Sequence, residues 1–206
     1  LYKEGYRGPV YSTPPTRDFA RDLLLDSEGI LNREAEREKK EPIYNAKDVL
    51  GIISLWKGLE YNTTIKVGSF SITLVNSGHI LGSSSIVVEG DEKTIVFSGD
   101  LGNVNPPLIR EWTPLQVHAT YCLVESAYGD RLHEDLEKRE DLLEDVIEDA
   151  VKSGGALIIP AFALERIQVL LYHLDALVED GRIPRVPVFV DSPLAIKLTA
   201  VYEKYL

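Results

Sequence analysis

The sequence predicts a mixed α/β (α+β) fold, and two patterns indicate this class. Between residues 61 and 99, short β-branched runs are separated by Gly, Asn and Asp, which is typical of a strand meander. In the second half, apolar runs alternate with segments of helical spacing, which is typical of β/α units. A chain of 206 residues can hide roughly 70% of its unfolded surface, so one large unit or two smaller ones would fit.

The first part of the chain predicts one short strand and two helices. PVYST is strand-like, and TRDFARDLLLDSEGIL after it has helical spacing, with Thr13 or Thr16 available as the N-cap. NREAEREKKEPIY is a charged segment that Pro42 ends. NAKDVLGIISLWKG opens with a capping residue and closes with glycine, so it predicts a second helix from Asn45 to Trp56.

The remaining elements follow from the same kinds of pattern. TTIKVG, SFSITLVN, SSIVVEG and KTIVFSG are strand-like, and HATYCLVES is another such run. Residues 132–149 have apolar positions near helical spacing, which predicts an amphipathic helix with a solvated acidic face. Beyond it, ALIIPAF and PVFVDSP are strand-like, and helices are predicted from about Ala163 to Val178 and over LAIKLTAVYEKYL. A boundary between the two halves is predicted near Tyr128 to His133.

Charge and composition exclude several classes of protein. The formal net charge of -11 argues against a general nucleic-acid binder, because affinity for phosphate backbones comes largely from Lys and Arg. Nine acids and two bases in residues 132–149 give a balance of -7, so much of this charge belongs to one helix. No apolar stretch approaches the roughly 20 residues that cross a bilayer, and no signal-peptide layout opens the chain. We therefore expect a cytoplasmic protein with no membrane partner.

Two further features concern the chain as a whole. The single cysteine, Cys122, lies in the apolar run TYCLV, which predicts a buried thiol with no chemical role. The sequence has no methionine and begins at Leu1, so we expect a piece of a longer product with a functional site that is only partly present.

Three of the β runs end in an ionisable residue beside glycine or serine: His79, Asp100 and Glu125. If these strands share a sheet, the three side chains gather on one rim of it. Imidazole nitrogen and carboxylate oxygen bind Zn²⁺ at about 2.0–2.2 Å, and glycine lets the backbone approach an ion closely. A structural histidine, an Asx-turn aspartate and a capping or surface glutamate would explain the same residues. The spacing alone therefore does not decide for a metal site.

Four ordered motifs resemble the β-CASP group of metallo-β-lactamase-fold nucleases: GHILGSSSIVVEG, IVFSGDLGN, LVESAYGDRLH and GGALIIPAFALERIQVLLYHL. YRGPVYSTPPTRD and VFVDSPLA are similar to the family too, so the resemblance covers essentially the whole chain. It implies a partial αββα metallo-β-lactamase sandwich over residues 1–127. Residues 128–206 are then expected to be the N-terminal part of a β-CASP cap domain.

The resemblance also implies roles for individual residues. His79 is similar to a histidine that binds one of two zinc ions, and Asp100 to an aspartate whose carboxylate bridges both ions. Glu125 resembles the acidic residue that opens the β-CASP motif and tunes the site, so Asp100 and Glu125 are the implied catalytic residues. His133 also fits the family pattern, with a structural or substrate-side contact left open. Ala127 departs from the usual Glu-Ser-Thr-Tyr-Gly pattern.

The function that the resemblance implies is a zinc-dependent ribonuclease that hydrolyses RNA phosphodiester bonds. Two Zn²⁺ ions about 3.5–4 Å apart can lower the pKa of a shared water and stabilise charge on phosphoryl oxygens. Arg131 and Arg166 are candidate substrate-binding residues for RNA phosphates, with salt bridges to nearby acids as the alternative. The sequence is also compatible with a homodimer.

The sequence departs from the family pattern in one important respect. The H-x-H-x-D-H motif, which supplies most zinc ligands in the family, occurs nowhere in the 206 residues. We therefore expect this polypeptide alone to bind zinc weakly and cleave nothing, whereas the full-length protein would cleave RNA. A non-catalytic β-CASP paralogue that acts as a scaffold remains an alternative. A metallohydrolase with another substrate class is disfavoured, because PAFALERIQ and DSPLA belong to the nuclease cap domain.

Overall fold

A computed structural model describes residues 1–132 and 138–206 of the chain. Its elements, in chain order, are β1 (Val10–Ser12), α1 (Pro14–Glu38), α2 (Ala46–Ser54), β2 (Trp56–Gly58), β3 (Thr64–Val67), β4 (Phe70–Asn76), β5 (Ser84–Gly90), β6 (Lys93–Phe97), β7 (Tyr121–Leu123), α3 (Lys138–Ser153), α4 (Arg166–Glu179) and α5 (Pro193–Tyr205). Two compact units are present, one formed by Leu1–Glu125 with Ala200–Leu206 and the other by Ser126–Thr199. The predicted domain boundary between residues 127 and 128 stays a prediction about the whole protein.

A five-stranded sheet lies at the centre of the first unit. Its strand order is β3-β4-β5-β6-β7, with three antiparallel pairings followed by the parallel pairing of β6 with β7. The four runs that predict a meander form β3 to β6, so that prediction is confirmed. Strands β4, β6 and β7 run in the same direction, and their carboxyl ends therefore lie at one edge of the sheet.

The sheet is covered on both of its faces at its second strand. Leu74 and Val75 are neighbours on β4 and both are buried. Successive side chains of a strand point to opposite faces, so each face of β4 packs against other atoms. On one face, Val75, Val87 and Val96 form a cluster with Leu115 against it. This arrangement agrees with the sandwich that the family resemblance implies.

Helix α1 is longer than the sequence pattern predicts. Thr13 is the N-cap, with its side chain accepting from the Thr16 amide at 3.4 Å, and prolines occupy the first two helical positions. Proline is tolerated there because the amides of the first turn have no helical acceptor. The charged run after residue 31 continues the helix, since Ala, Glu and Arg are strong helix formers. The helix ends where Lys39 adopts a left-handed φ of 55°, before Pro42.

The second unit contains α3, α4 and the first part of α5. Ile147, Leu177 and Ile183 form its buried cluster. Arg182 pairs with Asp141 and Glu144 on α3, which adds a polar contact beside the apolar one. The three helices predicted in this half are therefore present, with shifted ends.

Two segments with strand-like sequences lie outside any strand of the described residues. ALIIPAF and PVFVDSP, the latter up to Ser192, are irregular in the structure, and Ile158 and Phe189 are 86% and 87% exposed. The prediction of strands here was wrong, because a β-branched run forms a strand only when a hydrogen-bonded neighbour is available.

The predicted burial of Cys122 was also wrong. Its side chain is exposed, because β7 is an edge strand that pairs only with β6 within the described sheet. In the part of the chain that the structure describes, no helix has both the length and the apolar character needed to cross a bilayer.

Candidate functional site

Three strands deliver ionisable side chains to the same edge of the sheet. β4 ends at Asn76 and is followed by His79, β6 ends at Phe97 and is followed by Asp100, and β7 is followed by Glu125. Because β4, β6 and β7 run in one direction, the three loops that follow them emerge together. The topology therefore gathers the residues that the sequence places after strand ends.

His79 and Asp100 bring their ionisable groups together at the site. The His79 Nε2 lies 3.7 Å from the Asp100 Oδ2, and the two side chains are 41% and 75% exposed. Two ligands of one zinc ion lie at most about 4.4 Å apart, which is twice the usual ligand distance. The spacing and the donor atoms therefore fit Zn²⁺. Within the described ranges, no group of three His, Cys, Asp or Glu residues could hold an ion, so the pair is a partial donor set.

A serine fixes the backbone of the histidine. The Ser83 Oγ accepts hydrogen bonds from the amides of His79 at 3.0 Å and Ile80 at 3.1 Å. The Ser83 amide in turn donates to the Ile80 carbonyl at 3.0 Å, which closes the turn. Side-chain bonds of this kind stabilise tight turns by satisfying amides that no helix or strand would use. The loop that carries His79 is therefore closed upon itself.

Tyr61 also stabilises the turn between His79 and Ser83. Its hydroxyl donates to the Ser83 carbonyl at 2.9 Å. Burial raises the pKa of Tyr61 to about 12, and the negative charge of Glu60 adds to that effect. The phenol consequently stays protonated, and remains a donor, throughout the physiological pH range.

Asn76 joins the histidine loop to the loop before β7. Its Oδ1 accepts from the Gly78 amide at 3.0 Å, and its Nδ2 donates to the carbonyls of Arg110 and Glu111. Gly78 has a φ of 66°, and a Cβ there would lie 2.9 Å from the Trp112 Cα. Both the conformation and the close approach require glycine at this position.

Glu125 supports the aspartate loop. Its Oε1 accepts from the Leu101 amide at 3.1 Å, directly beside Asp100. Its own amide donates to the Ser98 Oγ at 3.0 Å, and Ser98 is buried. The carboxylate therefore holds the backbone that carries Asp100. Its predicted catalytic role remains a prediction.

The two arginines predicted to bind substrate lie in the second unit. The Arg131 Nε contacts the Asp130 Oδ1 at 3.1 Å, which is the salt bridge that the alternative interpretation expects. Arg166 is exposed at the start of α4 and forms no ion pair within residues 1–132 and 138–206. His133 lies outside the described residues.

Sequence reasoning missed the residues that hold the site together. Ser83, Asn76 and Ser98 have no feature that distinguishes them from other turn residues in NSGHILGSSS or FSGDLG. The one available signal was a serine four residues after the histidine, which can close a turn of this type. Such serines are common in loops, so this spacing alone does not predict the role of Ser83.

Comparison with known proteins adds a separate line of evidence. The Beta-Casp domain family matches residues 167–206. Ribonuclease TTHA0252 of Thermus thermophilus is 34% identical over 204 residues, which is 99% of this chain and 45% of that protein. The chain is thus similar to β-CASP nucleases along nearly its whole length. The resemblance drawn from the four motifs and the fold class that it implies are therefore confirmed.

Other relatives of this chain come from archaea and plants. The transcription termination factor FttA of a Lokiarchaeum species is 33% identical over 98% of the chain and 32% of that protein. Cleavage and polyadenylation specificity factor subunit 3-I of Arabidopsis thaliana is 28% identical over 100% of the chain and 29% of that protein. The chain thus spans less than half the length of these relatives.

A solved structure supports the fold. A protein of unknown function from Enterococcus faecalis matches with a TM-score of 0.51 and 16% identity. The match covers 96% of this chain and 43% of that one.

Proposed function

We propose that this chain is part of a zinc-dependent ribonuclease that hydrolyses RNA phosphodiester bonds in RNA processing or decay. The observation that carries the proposal is the pair formed by His79 and Asp100, whose donor atoms lie 3.7 Å apart at the carboxyl edge of the sheet. A relative aligned over nearly the whole chain is named a ribonuclease. A cytoplasmic location and a homodimer remain predictions from the sequence.

The chemistry assigns different tasks to the residues of the site. Bound divalent ions supply an activated water and neutralise charge on the phosphoryl oxygens. His79 and Asp100 would hold the metal, and two zinc ions are expected in the intact protein. Glu125 would keep Asp100 in place through the Leu101 amide. Zinc in catalytic sites takes three protein ligands and a water, so the other ligands have to come from outside this pair.

The proposal is tested with Asp100→Ala in the full-length protein. We expect the substitution to abolish metal-dependent cleavage of an end-labelled RNA, because a carboxylate that would hold the metal is lost. The fold should persist, since the Asp100 side chain is 75% exposed. Asp149→Ala, which removes an exposed carboxylate of α3, is the matched control and should cleave at the wild-type rate.

Zinc content and circular dichroism of the same variants complete the test. A variant that folds, loses zinc and loses cleavage supports the assignment. Wild-type cleavage together with wild-type zinc content in Asp100→Ala would contradict it.

A non-catalytic scaffold is the second candidate function. The observation in its favour is that the H-x-H-x-D-H pattern is missing from these 206 residues, while the described residues offer only two ligands. A full-length protein that binds RNA, contains no zinc and cleaves nothing would favour this candidate over the ribonuclease.

A further inference from the structure

Two threonines at the start of α1 hold the carbonyl of a residue that is distant in sequence. The Thr13 Oγ1 donates to the Gly82 carbonyl oxygen at 2.7 Å, and the Thr16 Oγ1 lies 2.9 Å from the same oxygen. Thr13 is only 2% exposed, so this contact is shielded from water. The carbonyl is firmly held, because moving it would leave this oxygen without either hydroxyl donor, whereas the two hydroxyls would keep the 2.9 Å hydrogen bond that joins them to each other.

Gly82 is adapted to this contact in two ways. Its φ is +85°, a conformation that residues with a Cβ rarely adopt. A Cβ at this position would also lie 2.8 Å from the Thr13 Oγ1 and 2.9 Å from the Pro15 Cβ. The loop therefore rests directly on the first turn of α1, and only glycine permits that approach.

Ser83 connects the contact at Gly82 to His79, the candidate metal ligand. Ser83 follows Gly82, and its Oγ accepts the amides of His79 and Ile80. The Ser83 carbonyl accepts from Tyr61 and from the Ser77 amide. A displacement of Gly82 would therefore move Ser83, and with it the backbone of His79.

We propose that Thr13 and Thr16, here called the threonine clamp, are positioning residues for His79. Neither hydroxyl is hydrogen-bonded to the imidazole. The clamp acts by fixing the loop so that the His79 Nε2 stays beside the Asp100 Oδ2. Metal ligands have to lie within about 0.2 Å of their ideal distances, so a loop that shifts would bind an ion less tightly. This inference rests on the proposed function, since it assigns the histidine to a metal.

A purely structural role is the competing explanation. Thr13 is the N-cap of α1, and its loss would destabilise the helix whether or not the loop matters. Thr16 separates the two roles. Its side-chain hydroxyl contacts Gly82 but is not the helix cap, so Thr16→Val removes one hydroxyl of the clamp and keeps the cap.

The experiment compares Thr16→Val with Thr16→Ser and Asn45→Ala in the full-length protein. Thr16→Ser keeps the hydroxyl. Asn45→Ala removes the N-cap of α2, which Asn45 provides through the amides of Lys47 and Asp48, and so controls for a loss of helix stability. Two quantities are measured: amide hydrogen exchange at His79 and Ile80, and the Kd for Zn²⁺ by titration.

We expect Thr16→Val to accelerate exchange at both amides at least about tenfold through local opening of the loop. The Kd for Zn²⁺ should rise about tenfold or more, which is typical when a residue that orients a metal ligand is lost. Thr16→Ser should restore both values. Asn45→Ala should leave the zinc affinity unchanged.

The outcomes separate this inference from the proposed function. Unchanged exchange in Thr16→Val overturns the clamp. Zinc affinity that falls in His79→Ala but not in Thr16→Val overturns the positioning role and leaves the metal site standing. Zinc affinity that is unchanged in His79→Ala contradicts the metal site itself, and the positioning role with it.

Discussion

At the scale of single residues, the site depends on close contacts between backbones. The Gly102 amide donates to the Ser77 carbonyl at 2.9 Å, so the aspartate loop lies directly on the histidine loop. A Cβ on Gly102 would collide with the Gly78 carbonyl oxygen and would lie 2.7 Å from the backbone amide nitrogen of His79. The close approach of the two loops that carry the candidate ligands therefore depends on glycine at residue 102.

Gly102→Ala tests this close contact. We expect it to lower the free energy of unfolding by about 1–3 kcal/mol, because the added methyl group forces two backbones apart. It should also shift the NMR amide signals of His79 and Ile80. The measurements are urea unfolding and ¹H–¹⁵N spectra.

Gly68→Ala is the matched control for this substitution. Gly68 has a φ of +62° with no atom near its missing Cβ, so alanine there costs about 1–2 kcal/mol through backbone strain alone. In the spectrum of Gly68→Ala, the amide signals of His79 and Ile80 should keep their wild-type positions. Unmoved His79 and Ile80 signals in Gly102→Ala would show that the loops are not in contact.

The sequence could predict which ionisable residues follow the strands, but not what holds them. His79, Asp100 and Glu125 each come after a strand-like run, and that local pattern is visible without coordinates. The contact between Thr16 and Gly82 joins residues 66 positions apart, and that between Asn76 and Glu111 joins residues 35 apart. Turn residues of this kind occur throughout the chain, so only the fold identifies the ones that meet.

Among the secondary-structure elements, local sequence patterns predicted strands correctly where neighbouring strands form hydrogen bonds with each other. β3 to β6 pair in sequence order, so each strand finds its neighbour across a short connection. ALIIPAF has the same β-branched character but no strand beside it in the described residues. The extension of α1 beyond residue 31 was missed for a different reason, because a charged run can form a helix without any apolar stripe.

Helix α1 is tied to the end of α5 by a contact that depends on pH. The Lys204 Nζ lies 2.6 Å from the Asp18 Oδ2, and the Tyr205 hydroxyl donates to the same oxygen at 2.8 Å. Burial raises the pKa of Asp18, but the hydrogen bonds from Lys204 and Tyr205 together lower it below its ordinary value of 3.8. The folded protein therefore binds this proton less tightly than the unfolded chain does.

The lowered pKa predicts a loss of stability in acid. The contribution of Asp18 is fully present above about pH 3.8 and disappears as the pH falls through the folded pKa below that value. Urea unfolding of wild type and Asp18→Asn between about pH 5 and pH 2 measures it. The two proteins should differ in stability at pH 5 and converge at pH 2.

Asp26→Asn, at an exposed carboxylate of the same helix, is the control and should follow the wild-type pH dependence. A constant difference between Asp18→Asn and wild type at every pH would mean that the contact contributes through packing, not through charge.

For the molecule as a whole, the negative net charge disfavours the RNA binding that the proposed function requires. The net charge is -11, whereas RNA binding requires cations. Several basic side chains are already engaged by acids: Lys152 by Glu148, Arg182 by Asp141 and Glu144, and Lys204 by Asp18. Arg166 differs, since it is exposed and has no ion pair within the described residues. RNA binding would then depend on a small number of such residues.

Arg166→Ala in the full-length protein tests this dependence through the effect of salt. Each lost contact with a phosphate should weaken the binding of single-stranded RNA and reduce the slope of log K against log salt by about 0.7. Arg131→Ala should have a smaller effect, because Asp130 already neutralises that guanidinium. Lys152→Ala removes a cation that Glu148 holds on the same unit, and it should leave the slope unchanged. Equal losses in all three variants would mean that RNA responds to the overall charge of the protein, so that no local cation guides it.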